Sequence, residues 1–331
     1  MKYSIEKFND KIDFISVSNE KGLDVIFSNF GAGVYSLRFN KAPMILEFQN
    51  KEDWLYAQGY YGKTLGRVCG RLKCQGELDG IKYNLKEKVA NHCLHGGDLN
   101  SLSYRPFKYS VKEYKNKICV SFLIKLKNLE NGFLNKANIK VVYEVYENNN
   151  FKVKYLGTTD KVTLMNLTNH FYFNFNSSNT INDYYLKINA DKCSVIDDDT
   201  FIIGYNNVPD ILNFTKATKL KARLDKIEKE LNVKTIDHTY LFNEVNSKIP
   251  QIVFKNKEFK VSVYTSYPAC NFYGEIFGKP LKIVGIEDDN LKRRSLAIEP
   301  QLVNYDFDSI ILRKDQKFNH FILYKFKDLR K

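Results

Sequence analysis

Residues 140–159 read KVVYEVYENNNFKVKYLGTT, two runs rich in β-branched and aromatic residues on either side of a cluster of asparagines. Such residues favour strands, and in the second run apolar and polar side chains alternate with the period of a pleated strand. Asparagine is a frequent turn residue. The stretch is therefore predicted to form two antiparallel strands joined by a turn at residues 147–150.

Runs of the same kind recur along the chain and set the predicted fold class. They are KIDFISVSN (11–19), KGLDVIFSNF (21–30), DYYLKINA (183–190), QIVFKN (251–256) and FKVSVYTSY (259–267). Turn signals such as Asp79-Gly80 and Asn131-Gly132 separate strand-like runs. Neither an internal repeat nor a long linker rich in Gly, Ser or Pro divides the chain. We therefore expect a single all-β domain, residues 1–331, built from large antiparallel sheets.

One amphipathic helix stands out from the strand pattern. Its apolar positions follow helical spacing: Ala217, Leu220, Leu224, Ile227 and Leu231. A cap at Asn213 or Thr215 would start the helix, and Asp225 and Lys229, four residues apart, are expected on its solvent face.

The chain has 331 residues and a formal net charge of +13, which raises the question of a polyanionic partner. Its basic residues are scattered and interleaved with acidic and amide residues, and the tightest cluster, residues 292–294, is too short for a nucleic-acid-binding arm. No motif of a nucleic-acid-binding fold accompanies the charge. We expect no nucleic-acid partner and interpret the surplus charge as an aid to solubility.

The cysteines and the N-terminus indicate a compartment. The six cysteines form no CxxC pair or regular ladder, so they predict neither a metal site nor a disulfide framework. The first residues, MKYSIEKFNDKIDF, lack the apolar core of a signal peptide, and no later stretch is long and apolar enough to cross a membrane. The expectation is a cytoplasmic protein with reduced thiols and no membrane partner.

The most unusual stretch is NLTNHFYFNF, residues 166–175. If it is a strand, one face carries Met165, Leu167, Phe171, Phe173 and Phe175, and the other carries Asn166, Thr168, His170, Tyr172 and Asn174. Amides, a hydroxyl, an imidazole and a phenol on one face suit a polar ligand of the size of a sugar. A buried hydrogen-bonded network that satisfies His170 is the alternative interpretation.

Two glycine-rich stretches also hold polar groups. GRVCGRLKCQGELDG (66–80) places Arg67 and Arg71 where the backbone can approach a ligand closely, or else forms a surface turn with solvated arginines. NHCLHGG (91–97) contains His92 and His95, which an extended segment would point to opposite faces. Because no third ligand is evident, a metal is not expected. Two interpretations remain for this stretch, namely a loop that presents a histidine to a ligand and a purely structural turn.

Two carboxylates interrupt apolar runs further along the chain. Asp237, in VKTIDHTYLFN (233–243), is either hydrogen-bonded in place or accepts hydrogen bonds from a ligand's hydroxyls. Glu299, in SLAIEPQLVN (295–304), precedes Pro300, which lacks a backbone donor. The strand is therefore expected to end or to lie at an edge there, with Glu299 at its rim as a candidate general base.

Taken in order, GRVCGRL, NHCLHGG, NLTNHFYFNF, IDHTYLFN and AIEPQ resemble the motifs of the aldose 1-epimerase (galactose mutarotase) family over nearly the whole chain. The resemblance implies a β-supersandwich of large antiparallel sheets with a few short helices, with a sugar bound in an open groove. It implies that Glu299 is the general base for the C1 hydroxyl and that His170 is the general acid for the ring oxygen. Arg71, His95 and Asp237 would hold the sugar.

The implied reaction interconverts the α and β anomers of free hexoses such as galactose and glucose, and it requires no metal, nucleotide or redox cofactor. The partner is thus a monosaccharide, and the protein is expected to be a monomer or a homodimer. One departure from the family pattern is Gly70, where an Asn is usual before the second arginine, which affects the placement of Arg71. Two alternatives remain, namely an epimerase of a hexose 6-phosphate and a non-catalytic sugar-binding protein of the same fold.

Overall fold

The fold is that of a computed structural model, which describes residues 1–89, 92–175, 180–231, 235–245, 248–275, 281–286, 293–305 and 307–330. The first strands are β1 (Lys2–Lys7), β2 (Asp13–Ser18), β3 (Leu23–Ser28), β4 (Gly33–Phe39), β5 (Ala42–Pro43), β6 (Thr64–Leu65), β7 (Arg71–Lys73), β8 (Gln75–Leu78), β9 (Ile81–Asn84) and β10 (His92–Leu94). The middle strands are β11 (Lys108–Tyr114), β12 (Lys117–Leu126), β13 (Ala137–Tyr146), β14 (Asn150–Thr159), β15 (Thr163–Leu164), β16 (Thr168–Asn169), β17 (Phe171–Phe173), β18 (Tyr185–Ile188), β19 (Lys192–Ile196) and β20 (Ile202–Asn207). The last strands are β21 (Thr218–Lys219), β22 (Asp237–Leu241), β23 (Ile252–Lys255), β24 (Phe259–Thr265), β25 (Ala269–Gly274), β26 (Leu296–Gln301), β27 (Ile311–Leu312) and β28 (Phe318–Asp328).

The helices are few and short, as the resemblance implies. They are α1 (Lys51–Tyr56), α2 (Leu220–Leu231) and the 3-10 turns Leu102–Tyr104, Glu130–Gly132, Asp210–Leu212 and Phe307–Ile310. Within the described ranges, none of them is long and apolar enough to cross a membrane.

Three antiparallel sheets form the body of the protein. The order of the nine-stranded sheet is β11-β12-β13-β14-β28-β24-β23-β18-β21, that of the six-stranded sheet is β17-β26-β25-β22-β19-β20, and the five-stranded sheet runs β1-β2-β3-β4-β5. One apolar core joins them, since Val25 of β3, Val141 of β13 and Ile298 of β26 belong to the same buried cluster. The prediction of an all-β assembly of large antiparallel sheets is confirmed.

The hairpin predicted at residues 140–159 is confirmed. β13 and β14 pair in register from Ala137 opposite Thr159 to Val145 opposite Phe151. Asn149 has a φ of 63° in the reversal, a conformation that Asn tolerates better than most residues. The Asp79-Gly80 turn is also confirmed, because it joins β8 and β9 with both residues at positive φ.

The helix prediction was correct for the body of α2 and wrong for its start. Leu220, Leu224 and Ile227 are buried in the core as expected. Ala217, however, is exposed before the helix, because Thr218 and Lys219 form β21 and pair with β18. Asn213 does not cap α2, since its side chain accepts hydrogen bonds from the backbone and hydroxyl of Thr215 instead. Leu231 is exposed, and so are Asp225 and Lys229, as predicted for the solvent face.

Candidate active site

The alternation predicted for residues 166–175 is correct on its apolar face. Phe171, Phe173 and Phe175 lie in the main core, together with Met165 and Leu167. The polar face divides, because only His170 and Tyr172 line the large cleft of the protein. Asn166 and Asn174 are buried and donate hydrogen bonds to the carbonyls of Leu302 and Arg294, respectively. Two positions of the polar face thus line a cleft, where binding of a ligand stays a prediction, whereas the two asparagines are hydrogen-bonded inside the protein. A network that satisfies His170 is not seen, because its Nδ1 has no hydrogen-bond partner among the described residues.

The cleft brings together all five residues that the resemblance implicates. It has a volume of about 1130 Å³, and its lining includes Arg71, His95, His170, Asp237 and Glu299. This is large for a small-molecule pocket, for which about 300–1,000 Å³ is typical. Residues separated by more than 200 positions in the sequence therefore face one space.

Glu299 lies on β26, the second strand of the six-stranded sheet, opposite Asn271 of β25. The expectation that the strand would end at Pro300 is wrong, because β26 continues to Gln301 and stays paired with β25, and Glu299 is only 1% exposed and so does not lie at a solvent-exposed rim. The other option, that the strand lies at an edge there, is correct in part. An edge exists on one side only: β17 pairs with β26 as far as Ile298 and no further. Proline is tolerated where that second partner has ended.

Glu299 and His170 form the central pair of the cleft. His170 directly precedes β17, whose Phe171 is opposite Ile298, so Nε2 of His170 lies 3.5 Å from Oε1 of Glu299. Nδ1 of His170 and Oε2 of Glu299 are buried without a hydrogen-bond partner among the described residues. Unsatisfied buried polar atoms are costly and rare, and both atoms belong to residues that line the cleft, so hydrogen bonds to a ligand there would account for them.

Burial sets the protonation of this pair. It raises the pKa of Glu299 to about 8, with a further upward contribution from the Asp237 carboxylate and opposing ones from Asn271 and Arg71. It lowers the pKa of His170 to about 3. The ring of Tyr60 stacks 6.0 Å from the His170 ring, and the Tyr172 ring lies 4.6 Å away, so aromatic walls exclude water from the imidazole. Between these two pKa values the pair holds one proton.

His95 is fixed by the backbone before Arg71. Gly70 donates its N–H to Nδ1 of His95 at 3.1 Å, and the His95 N–H is bonded to the Gly70 carbonyl. Burial lowers the pKa of His95 well below its usual range, with smaller contributions from His170 and Arg71. Because Nδ1 of the neutral ring accepts a hydrogen bond, Nε2 carries the proton. His95 therefore offers a hydrogen-bond donor to a ligand oxygen.

Arg71 and Asp237 form the other wall of the site. Nη2 of Arg71 lies 3.3 Å from Oδ2 of Asp237, and each side chain is about one-third exposed to the cleft. Asn271 donates to Oδ1 of Asp237 and accepts from the Thr239 hydroxyl. Asp237 is thus held in place by hydrogen bonds, as one interpretation had it, and it is still open to the cleft, where acceptance of hydrogen bonds from a ligand stays a prediction. Arg67, by contrast, is buried and donates to the carbonyls of Leu134 and Asn135, which is a structural role.

A metal ion does not suit this group of donors. The structure brings His95, His170 and Glu299 together with ligand atoms within 4.8 Å of one another, a proximity that the sequence spacing did not indicate. His95 has no lone pair to give, because Nδ1 accepts the Gly70 N–H and Nε2 carries the proton. His92 lies elsewhere, with its ring 4.3 Å from that of Phe201.

Three further residues of the site, Asn271, Gln301 and Tyr60, were not predicted from the sequence, although Gln301 ends the AIEPQ motif. Asn271 links Asp237 to Glu299, Gln301 lines the cleft and accepts from the Cys69 thiol, and Tyr60 covers His170. In ACNFYG (269–274) the alternation around Asn271 is visible, yet a lone amide in a strand indicates no function. Only the register between β25 and β26 shows its place.

Gly70 leads to a first prediction. Its φ is +74°, and a Cβ added there would lie 2.6 Å from Nδ2 of Asn304. Asn304 is held by its bond to the Cys69 carbonyl. We expect Gly70→Asn to displace Asn304 and Arg71 and to lower catalytic efficiency by about tenfold, roughly the cost of one misplaced hydrogen-bonding group.

A matched double variant checks this explanation. Adding Asn304→Ala to Gly70→Asn removes the clashing amide, so steady-state kinetics of the double variant should recover most of the loss. If the two substitutions act additively, Asn304 is not the obstacle.

The chain is similar to known proteins in both sequence and fold. The sequence profile described as aldose 1-epimerase matches residues 13–325. An aldose 1-epimerase of Haemophilus influenzae is 26% identical over a stretch that covers 78% of this chain and 77% of that protein. A human galactose mutarotase is 24% identical over a stretch that covers 98% of this chain and 94% of that protein. The crystal structure of a galactose 1-epimerase from Lactobacillus acidophilus superposes with a TM-score of 0.87 at 21% identity, covering 99% of this chain and 98% of that one.

Proposed function

The chain belongs to the aldose 1-epimerase family of isomerases, and on that premise we propose that it interconverts the α and β anomers of free hexoses such as galactose and glucose. The observation that carries the proposal is the Glu299 and His170 pair, 3.5 Å apart and buried at the base of the cleft. Opening a cyclic hemiacetal removes a proton from the C1 hydroxyl and adds one to the ring oxygen. A base and an acid that share one proton match that requirement.

In the proposed mechanism Glu299 is the base and His170 the acid. Burial leaves the shared proton on Glu299 in the free protein. The reactive form is therefore the tautomer in which this proton has moved from Glu299 to Nε2 of His170. Arg71 and Asn271 favour the ionised carboxylate and thereby assist this shift. The C1 hydroxyl then gives its proton to Glu299 while His170 protonates the ring oxygen. The aldehyde rotates about its C1–C2 bond, and the reverse transfers close the ring on the other face.

The remaining groups are proposed to hold the sugar. Nε2–H of His95 and the guanidinium of Arg71 donate to hydroxyl oxygens, and the Asp237 carboxylate accepts from a hydroxyl. We propose that the reaction takes place in the cytoplasm, where the six free thiols would stay reduced. The proposed steps transfer protons alone and call for no redox or nucleotide chemistry.

Polarimetry of freshly dissolved α-D-galactose and α-D-glucose tests the activity. The protein should accelerate the decay of optical rotation towards its equilibrium value, and glucose 6-phosphate measured alongside tests the phosphorylated alternative. No acceleration with any of these sugars by folded protein would contradict the proposal. Binding without acceleration would favour the non-catalytic alternative.

Asp237→Asn separates binding from chemistry. It removes a charged hydrogen-bond acceptor, so we expect KM to rise by about 10- to 100-fold with a smaller change in kcat. It also removes a negative charge that raises the pKa of Glu299, so the alkaline limit of activity should shift to lower pH. Initial rates at several pH values check both. An unchanged KM would show that Asp237 does not hold the sugar.

A further inference from the structure

The outward face of the nine-stranded sheet is strongly basic. Strand alternation buries one side of each strand in the core and turns the other side outward, and the outward residues of neighbouring strands lie opposite one another in register. On β11, β12 and β13 the outward lysines are Lys108, Lys112, Lys117, Lys125 and Lys140. On β14 and β28 they are Lys152, Lys154, Lys325 and Lys327. On β18, β21, β23 and β24 they are Lys187, Lys219, Lys255 and Lys260.

These thirteen lysines, called the basic face below, account for nearly all of the surplus charge. The nine strands lie wholly within the described ranges, and Glu144 is the single acidic residue on their outward side. Thirteen of the 51 basic residues and one of the 38 acidic residues are thus on this face, which carries twelve of the thirteen net positive charges. The rest of the chain is close to neutral. The sequence pattern hid this, because the lysines are far apart along the chain.

Most of this charge has no internal partner. Glu144 binds Lys117 and Lys154, and Asp183 binds Lys219. In the described part of the chain, no carboxylate lies within ion-pair distance of the other ten lysines of the basic face. Burial chiefly, and then the neighbouring Lys154 and Lys117 ammonium groups, lower the pKa of Lys152, against an opposing contribution from Glu144.

Aromatic rings are interleaved with the lysines. The outward rings are Tyr114, Tyr146, Tyr185, Tyr264 and Phe321. Each has a lysine Nζ within 6 Å of its centre, from 4.1 Å for Lys152 over Phe321 to 5.9 Å for Lys255 over Tyr185. Sheets that combine aromatic rings with positive charge bind single-stranded nucleic acids by stacking bases and attracting phosphates.

We infer that the basic face binds single-stranded nucleic acid, which reverses the expectation from the scattered charge of the sequence that there is no nucleic-acid partner. The sheet geometry favours a flexible polyanion over a membrane, because adjacent strands twist by about 20–25° and nine of them turn through roughly 160–200°. A planar bilayer would touch only part of such a surface, whereas a single strand can follow it. The surface spans about 40 Å across the strands, at about 4.8 Å per strand. Lysine provides charge without a fixed geometry, so binding should depend little on sequence.

The basic face and the cleft are on different sheets. Glu299 and Asp237 project from the six-stranded sheet on the side away from the core, whereas the basic face is the outer side of the nine-stranded sheet. Substitutions on the basic face should therefore leave mutarotation unchanged. The inference is independent of the proposed function and fails or stands separately.

Fluorescence anisotropy with a labelled oligouridine of about 20 nucleotides tests the inference, since one OB-fold domain covers about 4–16 nucleotides. The full-length protein should bind, and affinity should fall steeply between about 50 mM and about 200 mM salt. Lys140→Glu/Lys260→Glu/Lys325→Glu should weaken binding by about tenfold or more at the lower salt concentration. If that variant does not fold, the same three positions changed to Gln serve, and polarimetry reports whether each variant retains activity.

The control removes the same charge elsewhere. Lys82, Lys229 and Lys314 are exposed and lie outside the basic face, so Lys82→Glu/Lys229→Glu/Lys314→Glu should change affinity by less than about twofold. Equal weakening by both variants would show an effect of net charge alone and overturn the inference. Three other outcomes would also overturn the inference. They are no binding of the oligonucleotide, an equal affinity for inorganic polyphosphate of the same charge, and binding only to vesicles that contain phosphatidylserine.

Discussion

Glu299→Gln is expected to lower kcat by about two to four orders of magnitude, the usual contribution of a positioned general base. Gln keeps the size of the side chain and its contact with Asn271, but it accepts no proton from the C1 hydroxyl. Because the substitution does not touch Arg71, His95 or Asp237, KM should change little. Polarimetry with α-D-galactose at several concentrations gives both constants. A kcat within tenfold of the wild-type value would exclude Glu299 as the base.

The stability of the same variant provides an independent check. Folding raises the pKa of Glu299 from an ordinary 4.5 to about 8, so the protonated side chain favours the folded state at low pH. That contribution is fully present below about pH 4.5 and is lost progressively up to about pH 8, because over this range the unfolded chain ionises while the buried side chain stays protonated. Gln cannot ionise, so the Tm of the variant should gain on that of the wild type between pH 5 and pH 8, and the difference should level off above about pH 8. A constant difference in Tm between pH 5 and pH 8 would show that Glu299 is already ionised in the folded protein.

Strand alternation in the sequence predicted the core well. Phe171 and Phe173, and both strands of the 140–159 hairpin, lie where the period of two places them, because one face of each strand must be buried. Local pattern failed where tertiary pairing decides the outcome. Thr218 and Lys219 left the predicted helix to pair with β18, and Pro300 remained inside a strand because β25 still pairs with it.

The candidate site shows the same division. The motifs pointed to Arg71, His95, His170, Asp237 and Glu299, and the structure gathers all five in one cleft. Asn271 has no motif around it, and its position depends on the register of three strands that meet only in the fold. Likewise, the sequence cannot show that thirteen scattered lysines share one sheet face. Properties that depend on pairing between distant strands are thus the ones that sequence reading misses.

His170→Asn is expected to reverse the pH dependence of the reaction. In the wild type the pair must hold one proton, so activity should be level between about pH 3 and about pH 8 and fall above about pH 8, where Glu299 loses its proton and no acid remains. Without His170, water must protonate the ring oxygen, and the only remaining requirement is an ionised Glu299. The residual rate, lower by about two to four orders of magnitude, should therefore rise as the pH passes about 8.

Polarimetric rates from pH 5 to pH 10 distinguish this shared-proton mechanism from a simpler one. If His170 only binds the sugar, the variant should keep the wild-type profile at a reduced level, with its main effect on KM. If His170 is the acid, the wild-type rate should fall and the rate of the variant should rise as the pH passes the pKa of Glu299. The reason is that the same ionisation removes the acid proton from the wild type and creates the base in the variant. Parallel profiles would thus remove the assignment of His170 as the acid while leaving Glu299 as the base.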